Sequence, residues 1–355
     1  MRVAIDAAPL LDPQTGVGRY VRELGRSLEG AGVDLVRYAV SFSGRGDGSI
    51  RRWKIPARAV QEAWIRTGRP SVRRLVGPVD LLHATNFVAP PVGSTPLVVT
   101  VHDLGFFRPD TFPGGSRLAE LVPWSLGRAR VVLTPTTTIA AELAERLGVP
   151  ADRIQATHLG VSPLFFRATP HGDEWLARRG VRRPFALAVG TVQPRKNLPR
   201  LLQAWAAARP QMSGWTLVVA GPKGWGPGLP ATPGVVPIGW VGDETLPGLL
   251  AAADIFCYPS LYEGFGLPPL EAMAAGTPVL AGDYSAAAEV LGNAALRVDP
   301  LDVEALEGGL VELATDETLR RSLALAGRTQ AARYTWERTA SATMEAYVRA
   351  LEGDG

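Results

Sequence analysis

Glu263 and Glu271 lie in the segment Pro259–Pro278, which is otherwise apolar and glycine-rich. Carboxylates in such a run need partners, because an ionised group taken out of water without one is strongly unfavourable. Sugar hydroxyls are suitable partners. The segment reads as strand, glycine loop, helix and glycine stop. Pro268 and Pro269 suit the first helical turn, where no N–H partner is lost, and Gly276 suits the position just past the helix end. Glu263 then falls in the loop and Glu271 one turn into the helix. The N–H groups of Phe265, Gly266 and Leu267 are placed to meet phosphate or sugar oxygens.

A second segment, Val189–Asn197, ends a strand at Gly190, turns through Thr191, and places Arg195 and Lys196 before a helix. Two cations at a helix N-terminus oppose the macrodipole. Such a local conflict is expected where an anion sits between them; solvated surface charge is the alternative. Asn197 is expected to cap the helix from Leu198. Near the start, Asp12–Arg19 holds Gly16 and Gly18 and opens a helix, which suits either phosphate contact or a tight turn. It resembles a dinucleotide fingerprint without the third glycine. His102 and Asp103 close a buried run, an address for a functional residue or for a packing one. His83 has a similar address, but Ala84-Thr85-Asn86 after it reads equally as a loop. His158 and His171 have no such support.

These residues need strands to present them. Strand patterns at Val3–Asp6, Asp34–Val40, Asp80–His83, Leu97–His102 and Val131–Thr134 alternate with helical stretches. A second set runs Phe185–Gly190, Trp215–Ala220, Val235–Ile238, Ile255–Tyr258, Pro278–Ala281 and Ala295–Val298. Strands separated by helices predict an α/β chain with parallel sheets. Two doubly wound, Rossmann-like domains are expected, residues 1–165 and 183–334, with ligands outside the carboxyl ends of the strands and the active site in the cleft between domains. The last helix, Thr335–Leu351, carries Trp336, Met344, Tyr347, Val348 and Leu351 as an apolar stripe.

Composition agrees. Of 355 residues, 46% are hydrophobic and 20% charged, which suits globular cores. The net charge of +3 is too balanced for an obligate nucleic-acid binder. Cys257 is the one cysteine, so no disulfide forms within the chain, and its apolar surroundings suggest a buried, inert thiol. No uncharged apolar stretch reaches the roughly 20 residues of a membrane span. A cytoplasmic location is expected.

Glu263 and Glu271, within Glu-Gly-Phe-Gly-Leu-Pro-Pro-Leu-Glu, resemble the Glu-x7-Glu motif of retaining glycosyltransferases with the GT-B fold, family 4. The resemblance also takes in Thr15–Tyr20, Val101–Asp103, Gly190–Asn197, Gly239–Leu250 and Glu289–Pro300. It implies two facing Rossmann-like domains and a terminal helix, 335–355, that crosses back to the first. By the resemblance Glu271 holds the donor ribose hydroxyls, Glu263 the transferred sugar's hydroxyls and Lys196 the diphosphate. Gly18, with Gly16 beside it, matches the glycine loop at the diphosphate. His102 matches the histidine near the reacting sugar, and Phe265, Gly266 and Leu267 the loop whose amides touch sugar and phosphate. Thr191 stands where many members carry arginine; Arg195 supplies that charge, or Thr191 marks a subgroup, one similar to GDP-mannose-dependent enzymes. The implied reaction takes a nucleotide-sugar donor and a hydroxyl acceptor, with no cofactor and no metal. The alternatives are a UDP-sugar-dependent transferase, a sugar-nucleotide epimerase on the same fold, and a catalytically silent binding subunit.

One feature is outside that frame. Nine basic residues lie between Arg45 and Arg74, against Asp47 and Glu62, with Trp53, Ile55, Val60, Trp64 and Ile65 among them. The stretch reads as a patch for an anionic membrane surface, a solvated helical hairpin, or a pocket for a phosphorylated acceptor. No recognition motif for nucleic acid accompanies it.

Overall fold

The computed structural model describes residues 1–11, 15–42, 48–108, 115–224 and 228–353. These fall into two compact units. One takes the chain up to Gly160 together with Trp336 onward, and the other runs from Val161 to Thr335.

The first unit is a seven-stranded parallel sheet: β1 Arg2–Asp6, β2 Asp34–Val40, β3 Arg51–Trp53, β4 Leu81–Ala84, β5 Leu97–Thr100, β6 Val131–Thr134 and β7 Ile154–Ala156. Their order is β3-β2-β1-β4-β5-β6-β7. The central strands β4, β5 and β6 are buried throughout, which is why they read as continuous apolar runs. β3 and β7 are additional to the strands expected from sequence. Both are three residues long and lie at the sheet's two edges. The two arginines of β3 suit an edge, where charge discourages pairing with another chain, and they hide the strand pattern. β5 stops at Thr100, so His102 stands beyond the strand rather than at its end.

The final helix, Trp336–Glu352, packs in this unit against the helix Gly16–Gly30 and against β4, β5 and β6. Its buried face corrects the expected stripe. Trp336 and Tyr347 are buried, but Val348 is 49% and Leu351 38% exposed. The rest of the covered face is Thr339, Ala340, Thr343, Ala346 and Ala350. Small residues let two helices and a sheet approach closely, and an alanine-and-threonine face gives a weak hydropathy signal. Of the apolar residues in the basic stretch, Val60 and Trp64 are buried and Ile55 is 38% exposed. Arg45 and Asp47 lie outside the described residues.

The second unit has six parallel strands: β8 Phe185–Val189, β9 Thr216–Ala220, β10 Val235–Gly239, β11 Ile255–Tyr258, β12 Val279–Gly282 and β13 Leu296–Val298. The order is β10-β9-β8-β11-β12-β13. Helices Leu198–Ala208 and Val303–Thr315 close one face over Trp205, Leu201, Leu306 and Leu310, all fully buried. In each sheet the order reverses beside the first strand, between β1 and β4 and between β8 and β11. Such reversals open the crevice that parallel sheets use for ligands. The stretch after Ser162 holds two short helices, Pro163–Phe166 and Asp173–Ala177, and belongs to the second unit.

Candidate active site

In the second unit, the loops after β8 and β11 flank the strand-order reversal and bring Arg195, Lys196 and Glu263 together. Lys196 Nζ donates to Glu263 Oε1 at 2.7 Å and to the Tyr258 hydroxyl at 2.7 Å. Arg195 donates to Glu263 Oε2 and, at 3.4 Å, to the Tyr262 carbonyl. The Arg195 carbonyl accepts from Leu261 N–H at 2.9 Å, so the loops are joined by backbone as well. Lys196 and Glu263 are 9% and 7% exposed. Burial alone would raise the Glu263 pKa. The charges of Arg195 and Lys196, with their hydrogen bonds, outweigh it and hold the carboxyl at about 2. Burial, then the Glu263 charge, pushes the Tyr258 phenol well above its ordinary range, so it stays protonated. Two cations against one carboxylate leave these three side chains with net positive charge.

The two cations stand just before the helix, as the sequence suggests, but in a turn of their own. Pro194–Lys196 forms one 3-10 turn, and Asn197, in the left-handed region at φ 56°, separates it from the helix Leu198–Ala208. Asn197 does not cap that helix with its side chain. Its Nδ2 instead donates to the Pro300 carbonyl at 2.6 Å, and its Oδ1 accepts from Arg200. The anion between the two cations is Glu263 itself.

Glycines set how closely the loops approach. Gly221, just after β9, has φ 149°, and a Cβ there would lie 2.0 Å from the Gly190 carbonyl oxygen. At Gly224 a Cβ would lie 2.6 Å from Thr191 Cγ2, which fixes Thr191 against the loop after β9. Gly266 has φ 98°, and a Cβ would sit 2.3 Å from the Tyr284 hydroxyl. That hydroxyl donates to the Phe265 carbonyl at 3.3 Å. Leu267 opens the helix Leu267–Ala275, with prolines in its first turn and Gly276 closing it at φ 85°, as the sequence pattern requires. Glu271 lies in that helix, 2% exposed. Cys257, at 1% exposure, is pushed up to about 12 by burial and is inert.

His102, Gly16 and Gly18 belong to the first unit. His102 Nε2–H donates to the Thr85 carbonyl at 2.8 Å, which leaves Nδ1 with the lone pair. Burial lowers its pKa to about 4, against a smaller opposing effect of the Thr85 bond, so the ring is neutral at neutral pH. Tyr20 meets it edge-on at 4.9 Å and Phe87 at 5.7 Å. Tyr20 comes from the helix that Gly16 opens. Thr15 caps this helix, its Oγ1 accepting from Gly18 N–H at 3.0 Å, so that amide is already engaged. Asp12–Gln14 lie outside the described residues. Asp103 Oδ1 accepts from Gly105 N–H at 2.8 Å and holds the turn that follows. His83 is fully buried, with Nδ1 2.7 Å from the Tyr347 hydroxyl and Nε2 2.7 Å from Thr100 Oγ1. It ties the terminal helix to the sheet.

Tyr258, Gly221, Gly224 and Tyr284 were not singled out from sequence. Gly221 and Gly224 follow a strand end, and that address alone marks them. Tyr258 reads as one more apolar residue of β11, and only its hydroxyl's partner reveals it.

The description Glycosyltransferase Family 4 matches residues 14–163, and Glycosyl transferases group 1 matches residues 176–330. An O-antigen chain mannosyltransferase B from Escherichia coli is 29% identical, over 98% of this chain and 99% of its own length. A D-inositol 3-phosphate glycosyltransferase from Salinispora arenicola is 31% identical, over 81% of this chain and 72% of its own. Among solved structures, sucrose-phosphate synthase from Thermosynechococcus elongatus superposes with a TM-score of 0.77 at 20% identity, covering 99% of both chains. The chain belongs to the family 4 glycosyltransferases of the GT-B fold, and its activity is glycosyl transfer.

Proposed function

We propose that the protein moves a hexose, mannose from GDP-mannose, to a hydroxyl of a glycan, lipid-linked or secondary-metabolite acceptor, with retention and without a metal ion. The cluster of buried Lys196 and Glu263 with half-buried Arg195 carries this reading. In the reaction the sugar C1–O bond breaks, the nucleoside diphosphate leaves with the bonding electrons, and C1 becomes oxocarbenium-like. Lys196 and Arg195 stabilise the charge gathering on the diphosphate. Fixed donors in a dry site are worth about 3 kcal/mol each at the transition state. Glu263, already ionised and held, receives the transferred sugar's hydroxyls. Glu271 holds the ribose, and the Phe265–Leu267 loop supplies amides to sugar and phosphate.

Retention by double displacement needs a carboxylate nucleophile beneath C1. Glu263 is committed to two cations and suits hydroxyl binding instead. The acceptor hydroxyl therefore attacks from the leaving group's own face, and a diphosphate oxygen takes its proton. By the family resemblance, His102 of the first unit, neutral in its buried setting, is the histidine assigned to the reacting sugar. The match along almost the whole chain to a protein named as a mannosyltransferase supports mannose as the sugar.

Thermal-shift screening with GDP, UDP, ADP and dTDP tests the donor, followed by mass spectrometry of products from the matching sugar nucleotides. GDP is expected to give the largest shift. A larger shift with UDP replaces the GDP assignment. Donor conversion without acceptor identifies an epimerase. An inverted anomeric signal in the product removes same-face attack, and loss of turnover in chelator removes metal independence.

A further inference from the structure

The first unit contains a cavity of about 460 Å³ at the amino ends of β5 and β6. His102 lies beyond the opposite, carboxyl end of β5, so the cavity is separate from the residues assigned to transfer. Its size is that of small-molecule pockets. The loop Pro91–Pro96, the end of helix Ala57–Thr67, Trp124, Arg128 and Arg130 line it.

Its charge is one-sided. Among the described residues no Asp or Glu lines it, and the side chains of Arg128 and Arg130 bond to backbone carbonyls rather than to any carboxylate. Arg128 reaches the Ala89 carbonyl at 2.7 Å and the Pro90 carbonyl at 3.0 Å, with its guanidinium 3.5 Å from the Trp124 ring centroid. These contacts fix the cation in place. Burial lowers its pKa only to about 10, so it is charged at neutral pH. Arg130 donates to the Ala350 carbonyl at 2.8 Å. A guanidinium presents five N–H donors, so both keep donors beyond these bonds. A partly buried cation with no carboxylate partner among the described residues, beside a second cation and an open cavity, is a preformed anion receptor.

We propose that this cavity is a second binding site, for a phosphate-bearing saccharide, with Arg128 and Arg130 on the phosphoryl group, Ser94 at the rim, and Trp124, Ile65 and Pro96 against the sugar body. Phosphate fits better than carboxylate because its three free oxygens serve two guanidinium groups at once. The phosphoryl group is that of a free sugar phosphate or of a sugar phosphate linked to a lipid carrier.

Calorimetry on the whole protein at low salt tests this with mannose 1-phosphate and with a polyprenyl-phosphate-linked mannose in neutral micelles. At least one probe is expected to bind, and the tighter one identifies the source. Ser94→Glu, a change at an exposed position, and Arg130→Gln are each expected to weaken binding roughly tenfold or more. Lys196→Ala leaves this binding unchanged, and Ser94→Glu leaves donor binding in the second unit unchanged. If Arg130→Gln does not fold, Ser94→Glu carries the test. The proposal is overturned if neither probe binds, if neutral mannose competes equally, or if binding is lost in Lys196→Ala and kept in Ser94→Glu.

Discussion

Lys196 Nζ lies 2.7 Å from Glu263 Oε1, across 67 residues of sequence, and the contact joins the loops of two neighbouring strands. Each side chain solves the other's burial problem. A buried carboxylate without a cation, or a buried ammonium without an anion, is costly. Together with Arg195 they retain net positive charge where a diphosphate is proposed to sit.

Lys196→Ala is expected to lower turnover at least about a hundredfold. Arg195 still pairs with Glu263 in that variant, so the circular-dichroism spectrum should remain native. Steady-state kinetics on the folded variant checks this. Near-wild-type turnover would remove Lys196 from the diphosphate's stabilisation.

Glu263→Gln should change how stability depends on acid. The folded pKa of about 2 lies below the ordinary 4.5. A depressed carboxyl contributes stability above its unfolded pKa and loses it as pH falls from 4.5 toward 2. The shift corresponds to roughly 3 kcal/mol at neutral pH. Urea midpoints of wild type and variant should therefore differ near pH 7 and converge as pH falls from about 5 to about 3. A constant gap across that window would show that Glu263 is not held ionised by its neighbours.

Much of this was legible in the sequence, for identifiable reasons. β4, β5, β6, β8, β9 and β11 are buried and read as apolar runs. Helix Leu267–Ala275 was bounded by Pro268 and Gly276, whose backbone preferences are strong. What was not legible depends on contacts between distant segments. β3 and β7 are strands only because a sheet edge is there to pair with. Asn197 looked like a cap because the sequence carries no sign of its left-handed φ or of the Pro300 carbonyl. The adjacent Arg195 and Lys196 signalled an anion, but the anion they meet, Glu263, is invisible until β8 and β11 are neighbours.

Gly266→Ala is expected to cost about 1–3 kcal/mol of stability and most of the activity, because it forces a non-glycine residue to φ 98° and drives Cβ into the Tyr284 hydroxyl. Adding Tyr284→Phe removes the 2.3 Å contact and leaves one of 3.1 Å to the ring, while the unfavourable backbone stays. The double variant should recover part of the stability lost in Gly266→Ala, measured by thermal melting. No recovery would mean that backbone conformation alone sets the requirement for glycine.

Tyr347→Phe tests the tie between the terminal helix and the sheet. His83 is neutral, because burial, and secondarily His102, lowers its pKa to about 3 from 6.5. A neutral imidazole donates through one nitrogen and accepts through the other, and here the partners are Tyr347 and Thr100. Removing the Tyr347 hydroxyl leaves one ring nitrogen buried without its partner, at about 1–3 kcal/mol. The unfolded chain protonates His83 below pH 6.5 and the folded chain only near pH 3, so this residue's contribution to stability is whole above 6.5 and declines as pH falls toward 3. In Tyr347→Phe the melting temperature should fall at neutral pH, and nitrogen NMR should still show an unprotonated His83 ring between about pH 5 and 8. An unchanged melting temperature would mean that the terminal helix is held by its alanine-and-threonine face alone.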